Sequence, residues 1–394
     1  MRGLRALLLQ AVLLHASYSV VRPMVSYRAL DMGAGSAELG ALAASFAVLP
    51  LLLAFAVGRQ ADVLGPARLV LAGAVLMVLG SLVALRAGGI AVLLVASAAL
   101  GLAHLMAMVG QQSMVAGSAS ETERDRGFGS VTAAASVGQM LGPPVALTAA
   151  GYLATSARSE AAVGLTVAAG FALAAVPLGA YRRGRTARCP AQRPAPSGAT
   201  LSRLVRTDGM WQAMVASGSV LAALDLLMAF LPAWAEERGV SVAAVGWLLA
   251  LRAAVSVVTR AGVVRLIDVF TRRGTLVGSL VLGVLGFAVL PFVGVVGAAV
   301  VMCLLGVGLG LAQPLTLSWV TTRSAPAVRG AAIGLRLTAN RLAQTVLPPS
   351  IGFAVKGSGT SGVFLACAVV LGLAAIPVLR APLSGPVDGP PDTP

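Results

Sequence analysis

Charge is scarce in this chain: charged residues make up 11% of the sequence, against 58% hydrophobic. That balance leaves too little polar surface to wrap an apolar core, which excludes an ordinary soluble globular fold. Lysine is almost missing, with Lys356 standing alone against 28 arginines. Histidine occurs twice and acidic residues 14 times in 394 positions. So thin a supply offers no nucleophile with its base, no paired catalytic carboxylates and no metal-ligand cluster, which argues against an enzyme or a metal site. The three cysteines, Cys189, Cys303 and Cys367, fall in one polar segment and two apolar stretches and suggest no disulfide framework. No glycine-rich phosphate loop opens a soluble domain, so neither ATP drive nor a cofactor is expected.

What the chain does have is length of apolar run. About twelve stretches of 18–26 residues fall near 5–27, 36–57, 69–86, 90–115, 128–153, 161–181, 211–233, 241–263, 275–294, 297–320, 330–355 and 360–380. Each covers a hydrocarbon slab of about 30 Å as an α-helix. The expected fold class is an all-α membrane protein of twelve transmembrane helices in two six-helix pseudo-symmetric bundles. The first stretch follows Arg2 and Arg5, but no clear cleavage site precedes Arg22, so it reads as an uncleaved span.

The net charge of +15 would suggest nucleic acid in a soluble protein; here its distribution matters more. On one side lie Arg2, Arg5, Arg59, Arg68, Arg124, Arg126, seven arginines between Arg182 and Arg206, Arg265, Arg272, Arg273, Arg323, Arg329 and Arg380. The other side holds Arg86, Arg158, Arg238 and Lys356. The positive-inside rule then places both termini in the cytoplasm. Heavy use of arginine and alanine points to a bacterial source and its inner membrane. Lipid is therefore an expected partner, nucleic acid is not, and a monomer is expected.

An Arg-, Pro- and Gly-bearing segment divides the chain. The expected units are a bundle over 1–181, a cytoplasmic linker over 182–209, a second bundle over 210–380 and a cytoplasmic tail over 381–394. Shifting the sequence against itself by 205 or 206 residues aligns Arg59 and Asp62 with Arg265 and Asp268, and Gly129, Gln139, Pro143 and Pro144 with Gly334, Gln344, Pro348 and Pro349. The halves read as duplicates, and parallel halves of this kind rock around a central site.

The loop Gly58-Arg59-Gln60-Ala61-Asp62-Val63-Leu64-Gly65-Pro66-Ala67-Arg68 resembles the signature between spans 2 and 3 of the major facilitator superfamily. The resemblance implies a latch of Gly58, Asp62, Gly65 and Arg68, echoed by Asp268, that holds the halves together on the cytoplasmic side when the cavity faces outward. The second copy carries Thr271 where glycine would stand. In span 5, Gly129, Gly138, Gly142 and Pro143 resemble the antiporter motif of the superfamily's drug/proton exporters. Two departures are plain: Ala146-Leu147 replaces the closing glycine pair, and Ser97 stands near the place of the span-4 arginine.

The third, sixth, ninth and twelfth stretches hold no ionisable or amide side chain away from their ends. In the family fold these spans lie outermost, and the others line the cavity or the seam. Inward-facing candidates are therefore His15, His104, Gln111, Gln139, Asp225, Arg252, Gln313, Arg336, Asn340, Arg341 and Gln344, since lipid exposure would cost an ionised group several kcal/mol. Asp225 is the one acid deep inside a span, and desolvation favours the protonated form, so it is the candidate proton carrier. A structural ion pair with Arg252, at a similar depth, is the competing reading. His15 and His104 fall near mid-bilayer on spans expected to face each other and could titrate or contact solute. Arg336, Asn340 and Arg341 crowd one stretch of span 11, where buried cations need an anionic solute, Asp225 or a lipid phosphate as company. Arg22-Pro23 and Arg28 read as a charged helix end. The four tryptophans read as interfacial anchors.

These features lead to the expectation of a secondary transporter of a small organic solute, using protons as coupling ion and working outward. An uptake symporter or facilitator of a small metabolite with the same fold is the alternative.

Overall fold

The computed structural model describes residues 2–116, 121–155, 159–180, 207, 209–324 and 328–381. The expected linker over 182–209 and tail over 381–394 lie almost wholly outside the described residues, as does the side chain of Asp62. The N-terminal helices are α1 (Arg2–Leu30), α2 (Ser36–Leu64), α3 (Pro66–Arg86), α4 (Ile90–Ala116), α5 (Glu121–Leu153) and α6 (Glu160–Ala180). The C-terminal ones are α7 (Met210–Glu237), α8 (Val242–Ala261), α9 (Val263–Val289), α10 (Val295–Thr322), α11 (Arg329–Ala354) and α12 (Gly359–Arg380), with one 3-10 turn at Leu290–Phe292. Without water to satisfy its peptide groups, a spanning segment must bond internally, and helices do so completely.

Ten of these helices are long and apolar enough to cross a membrane. The two that fall short, α5 and α11, each carry two adjacent prolines and a face of Gly, Ser, Thr, Gln, Asn or Arg. Their polarity is affordable because they pack on helices of the opposite half, α5 on α8 and α11 on α2. By contrast α3 packs on α4 and α6, and α9 on α10 and α12. The free faces of α3, α9 and α12 present Val75, Leu79, Leu82, Val281, Leu285, Leu365, Val369 and Leu373, a surface suited to lipid.

The duplication is visible in the backbone. Gly65 ends α2 with φ 85 and ψ 145, and Thr271, 206 residues later, takes φ 61 and ψ 161 inside α9. That region suits glycine and strains a β-branched residue. Thr271 is held there as a helix cap: its Oγ1 accepts from the Gly274 N–H at 3.2 Å, and its carbonyl accepts from Thr275 Oγ1 at 2.7 Å. Each half therefore breaks its chain at the same point before its third span.

The two halves close on each other at the end opposite the basic loops. Gly40 on α2 lies so near Pro348 on α11 that an added Cβ would stand 2.5 Å from the Pro348 carbonyl oxygen. Its counterpart 206 residues on, Gly246 on α8, would meet the Pro143 carbonyl oxygen of α5 at 2.8 Å. Ser36 Oγ donates to the Gly352 carbonyl at 3.0 Å and seals the same end. Toward the basic end the seam opens: Ala47 is buried while Phe55 on α2 is exposed, and likewise Gln344 and Leu337 on α11, Pro143 and Thr132 on α5, and Gly246 and Val257 on α8. The molecule is shut at one end and splayed at the other.

Candidate functional site

At the centre, α1 does not stop at Arg22-Pro23. It runs through Pro23 to Leu30, and Arg22 is 6% exposed, in correction of its reading as a charged helix end. The reason is packing: α1 is wedged against α5, α6 and α7, which bury the segment beyond the proline. Arg28 is tied to the α3–α4 loop, its Nη2 donating to the Ala87 carbonyl at 2.9 Å.

Arg22 crosses the seam. Its Nη1 donates to Asp225 Oδ1 on α7 at 2.5 Å, with both side chains buried. The other carboxylate oxygen, Oδ2, accepts from Gln344 Nε2 on α11 at 2.8 Å. One carboxylate in the second half is thus gripped by a guanidinium from the first half and an amide from its own. Arg252 is not the partner of Asp225. It sits on the face of α8 that carries Ser256, whose Oγ donates to the Gly306 carbonyl of α10, and it is buried with Nε lacking a hydrogen bond.

A column of rings continues from Arg22 into the first half. The guanidinium carbon lies 5.3 Å from the Phe46 ring centroid and 5.7 Å from that of Tyr18, within cation–π range. Tyr18 stacks on His104 at 3.7 Å with 7° between planes, and His15 meets His104 edge-on at 5.1 Å. His15 Nδ1 lies 3.0 Å from the Ala11 carbonyl, an acceptor, so Nδ1 carries the proton of that bond. Residues 15, 18 and 22 share one face of α1, and this spacing was the signal that could have placed Arg22 in the site. His104 Nδ1 and both amide atoms of Gln111, one face of α4, are buried without partners.

The second half contributes a different chemistry. Arg336 Nη2 donates to the Gln313 carbonyl at 3.1 Å, to Gln313 Oε1 at 2.9 Å and to Thr316 Oγ1 at 2.8 Å, all neutral oxygens of α10. Gln313 in turn donates to the Ser217 carbonyl of α7 at 3.2 Å. Arg341, half-buried, donates from Nη1 to Gln344 Oε1 at 3.2 Å. Asn340 is buried against α7 near Gly218 with Oδ1 unpartnered. Gln139 on α5 is half-buried.

The span-5 glycines divide between two jobs. Gly138 and Gly142 let α5 approach the α1 backbone beside Val12, His15 and Ala16, while the adjoining Pro143 carbonyl faces Gly246 in the other half. Gly129 meets nothing within 4 Å. The segment expected as a loop is almost all helix, in correction of that reading: Gly58, half-buried, and Arg59, exposed, lie in the last turns of α2, Arg68, exposed, in the first turn of α3, and Gly65 alone makes the turn between them because its positive φ suits glycine; Asp268 in the second copy is exposed too. Trp234 and Trp319 are fully enclosed in the protein instead of lying at an interface, whereas Trp211 and Trp247 are exposed. Among the described residues no group of three potential metal ligands comes together.

A family model described as Major Facilitator Superfamily matches residues 7–229 and 213–393. Among solved structures, a bacterial homolog of the human lysosomal transporter Spinster, in an inward-facing and unoccupied conformation, superposes with TM-score 0.79 at 14% identity, covering 96% of each chain. The nucleoside transporter NupG gives 0.77 at 15% identity, with 96% of this chain and 99% of that one covered. The peptide transporter POT in complex with sulfate gives 0.75 at 16% identity, over 96% and 94%. At such identities the likeness speaks for the fold. No curated protein matches the chain.

Proposed function

The chain belongs to the major facilitator superfamily, and from that premise we propose that it exchanges a small organic solute for protons across the membrane by alternating access, in the manner of the drug/proton antiporter branch. The observation that carries this reading is the Arg22–Asp225–Gln344 bridge, because it joins the halves through a titratable group. Protonation of Asp225 would discharge the carboxylate and leave Arg22 buried without a counter-charge, an arrangement that favours separation of the halves at that point. Proton occupancy and conformation are then linked, and the linkage is reciprocal. His15 and His104 stand next along the ring column and would relay or sense the same proton.

Outward direction is supported by the Gly138-Gly142-Pro143 segment, which packs against the helix bearing Arg22 on one side and against α8 on the other. Gly58, Asp62, Gly65, Arg68 and Asp268 would act as the latch at the basic end, engaged when that end closes. The solute would meet Gln111, Gln139, Arg252, Gln313, Arg336, Asn340, Arg341 and Gln344. Residues 1–181 and 210–380 would move as bodies joined by 182–209, as a monomer in a bacterial inner membrane with both termini and the 381–394 tail cytoplasmic. Uptake symport or facilitation of a metabolite remains the alternative, supported by the same bridge.

The test uses proteoliposomes with a pH gradient of either sign and a solute found by a resistance and accumulation screen. Asp225→Asn is expected to abolish uphill transport and to spare energy-independent exchange. Uphill transport at the parent rate in that variant would remove Asp225 from the coupling step, and accumulation with the proton gradient instead of against it would replace antiport by symport.

A further inference from the structure

Resting on the transport reading above, the geometry points to the class of solute: an organic monoanion whose charged group docks on Arg341, with Gln344 linking that docking to the Asp225 bridge. Four features lead there.

The first is a charge count. Among the described residues the ion pairs are Arg22–Asp225 and Arg28–Asp31. Among those residues Asp225 is the one buried acid, and Arg22 takes it, so Arg341 at the same centre has no described carboxylate within 4.0 Å. Over Arg22, Asp225 and Arg341 the central cluster is left with one positive charge before either histidine is counted. One negative charge on a solute cancels it; a cationic solute would double it.

The second is the way Arg341 is held. Among the described residues its side chain makes one hydrogen bond, to a neutral amide oxygen, Gln344 Oε1 at 3.2 Å, and it is only half-buried. Its remaining N–H groups suit the planar two-point grip that guanidinium makes with a carboxylate or sulfonate. In the first half, the buried His104 Nδ1 has no hydrogen-bond partner, and its ring stacks on Tyr18, which meets Phe46 edge-on.

The third is the surrounding field. Arg252 and Arg336 lie buried on the same half of the molecule with neutral partners or none, and Arg260 sits nearer the basic end with Nε donating to the Gly310 carbonyl. A half that carries buried cations of this kind sets up a positive field that attracts anions and repels cations.

The fourth concerns Gln344. A carboxylate needs a donor and a guanidinium needs an acceptor, so the amide has one orientation that satisfies both: Nε2 to Asp225 and Oε1 to Arg341. An anion that draws Arg341 away releases Gln344 Oε1, and with it the hold on Asp225. Outward movement of a monoanion against an inward proton would carry two positive charges inward per cycle, so an inside-negative potential drives both legs.

The experiment is binding by calorimetry to the purified full chain, with size-matched probes at equal concentration: benzoate, benzamide and benzylamine, and hexanoate, hexanamide and hexylamine. The anion of a set is expected to bind at least tenfold more tightly than its neutral and cationic partners. Arg341→Gln is expected to lose at least tenfold of that affinity, and Arg341→Lys to keep part of it, which separates charge recognition from misfolding. Equal affinity across charge states, absence of binding by every probe, or anion affinity unchanged in Arg341→Gln overturns the proposal. Failure of the transport reading looks different: Asp225→Asn would then pump uphill at the parent rate while the anion preference stood.

Discussion

The first six helices and the last six share a backbone plan but not a chemistry. Gly40 and Gly246 mark the same close approach, Pro143 and Pro348 supply the facing carbonyls, and Gly65 and Thr271 bend the chain at the same step. Toward the centre the halves part company. The first presents rings and amides, His15, Tyr18, Phe46, His104 and Gln111, with Arg22 as its one buried charge among the described residues; the second presents Asp225, Arg252 and Arg336. Duplication keeps the close approaches and bends that set the backbone of each half. It leaves the central side chains free to differ.

Three sets of substitutions would break or sharpen that comparison. The largest effect is expected at the one charge that crosses it. Arg22→Ala strands Asp225 in the interior and should cost about 3–5 kcal/mol in denaturant titrations of the detergent-solubilised protein. The double variant Arg22→Met with Asp225→Leu should recover most of that loss; failure to recover would mean that Arg22 acts through contacts other than the ion pair. Next come the paired seams. Gly40→Val and Gly246→Val each force a side chain onto a proline carbonyl and should cost about 1–3 kcal/mol. Each should also raise cysteine-probe accessibility at the end opposite the basic loops, and a response from one glycine alone would show that the seams are not equivalent. The smallest effect belongs to the bend. Gly65→Thr should destabilise by about 1–3 kcal/mol through strain at positive φ. Thr271→Gly should change stability by about 1 kcal/mol or less, since relief of strain is offset by loss of the cap to Gly274. A large loss in Thr271→Gly would mean that the cap outweighs the strain.

Much of the scaffold is legible in the residues. Twelve apolar stretches, the middles of the third, sixth, ninth and twelfth without charged or amide side chains, and the 205–206 residue offset all depend on composition along the chain. The meeting of His15 with His104 could be anticipated by counting inward from span ends, because depth in a bilayer follows from 1.5 Å of rise per residue. Partner choice at that depth could not. Arg252 and Arg22 were both available to Asp225, and Arg22 carried a misleading neighbour: Pro23 ordinarily argues for a helix end. Its place became plain only when α1 was seen to continue past the proline under the cover of α5, α6 and α7.

Hydropathy, length and repeat are sums over neighbouring residues, so the sequence alone determined that this protein spans a membrane with a doubled set of helices. Which guanidinium reaches Asp225, which amide bridges to Arg341, and which end of the seam stands open depend on the rotation and tilt of each helix. Those were decided by tertiary packing at a few glycine and proline contacts between segments some 100 to 300 residues apart, a distance over which local preference carries no information.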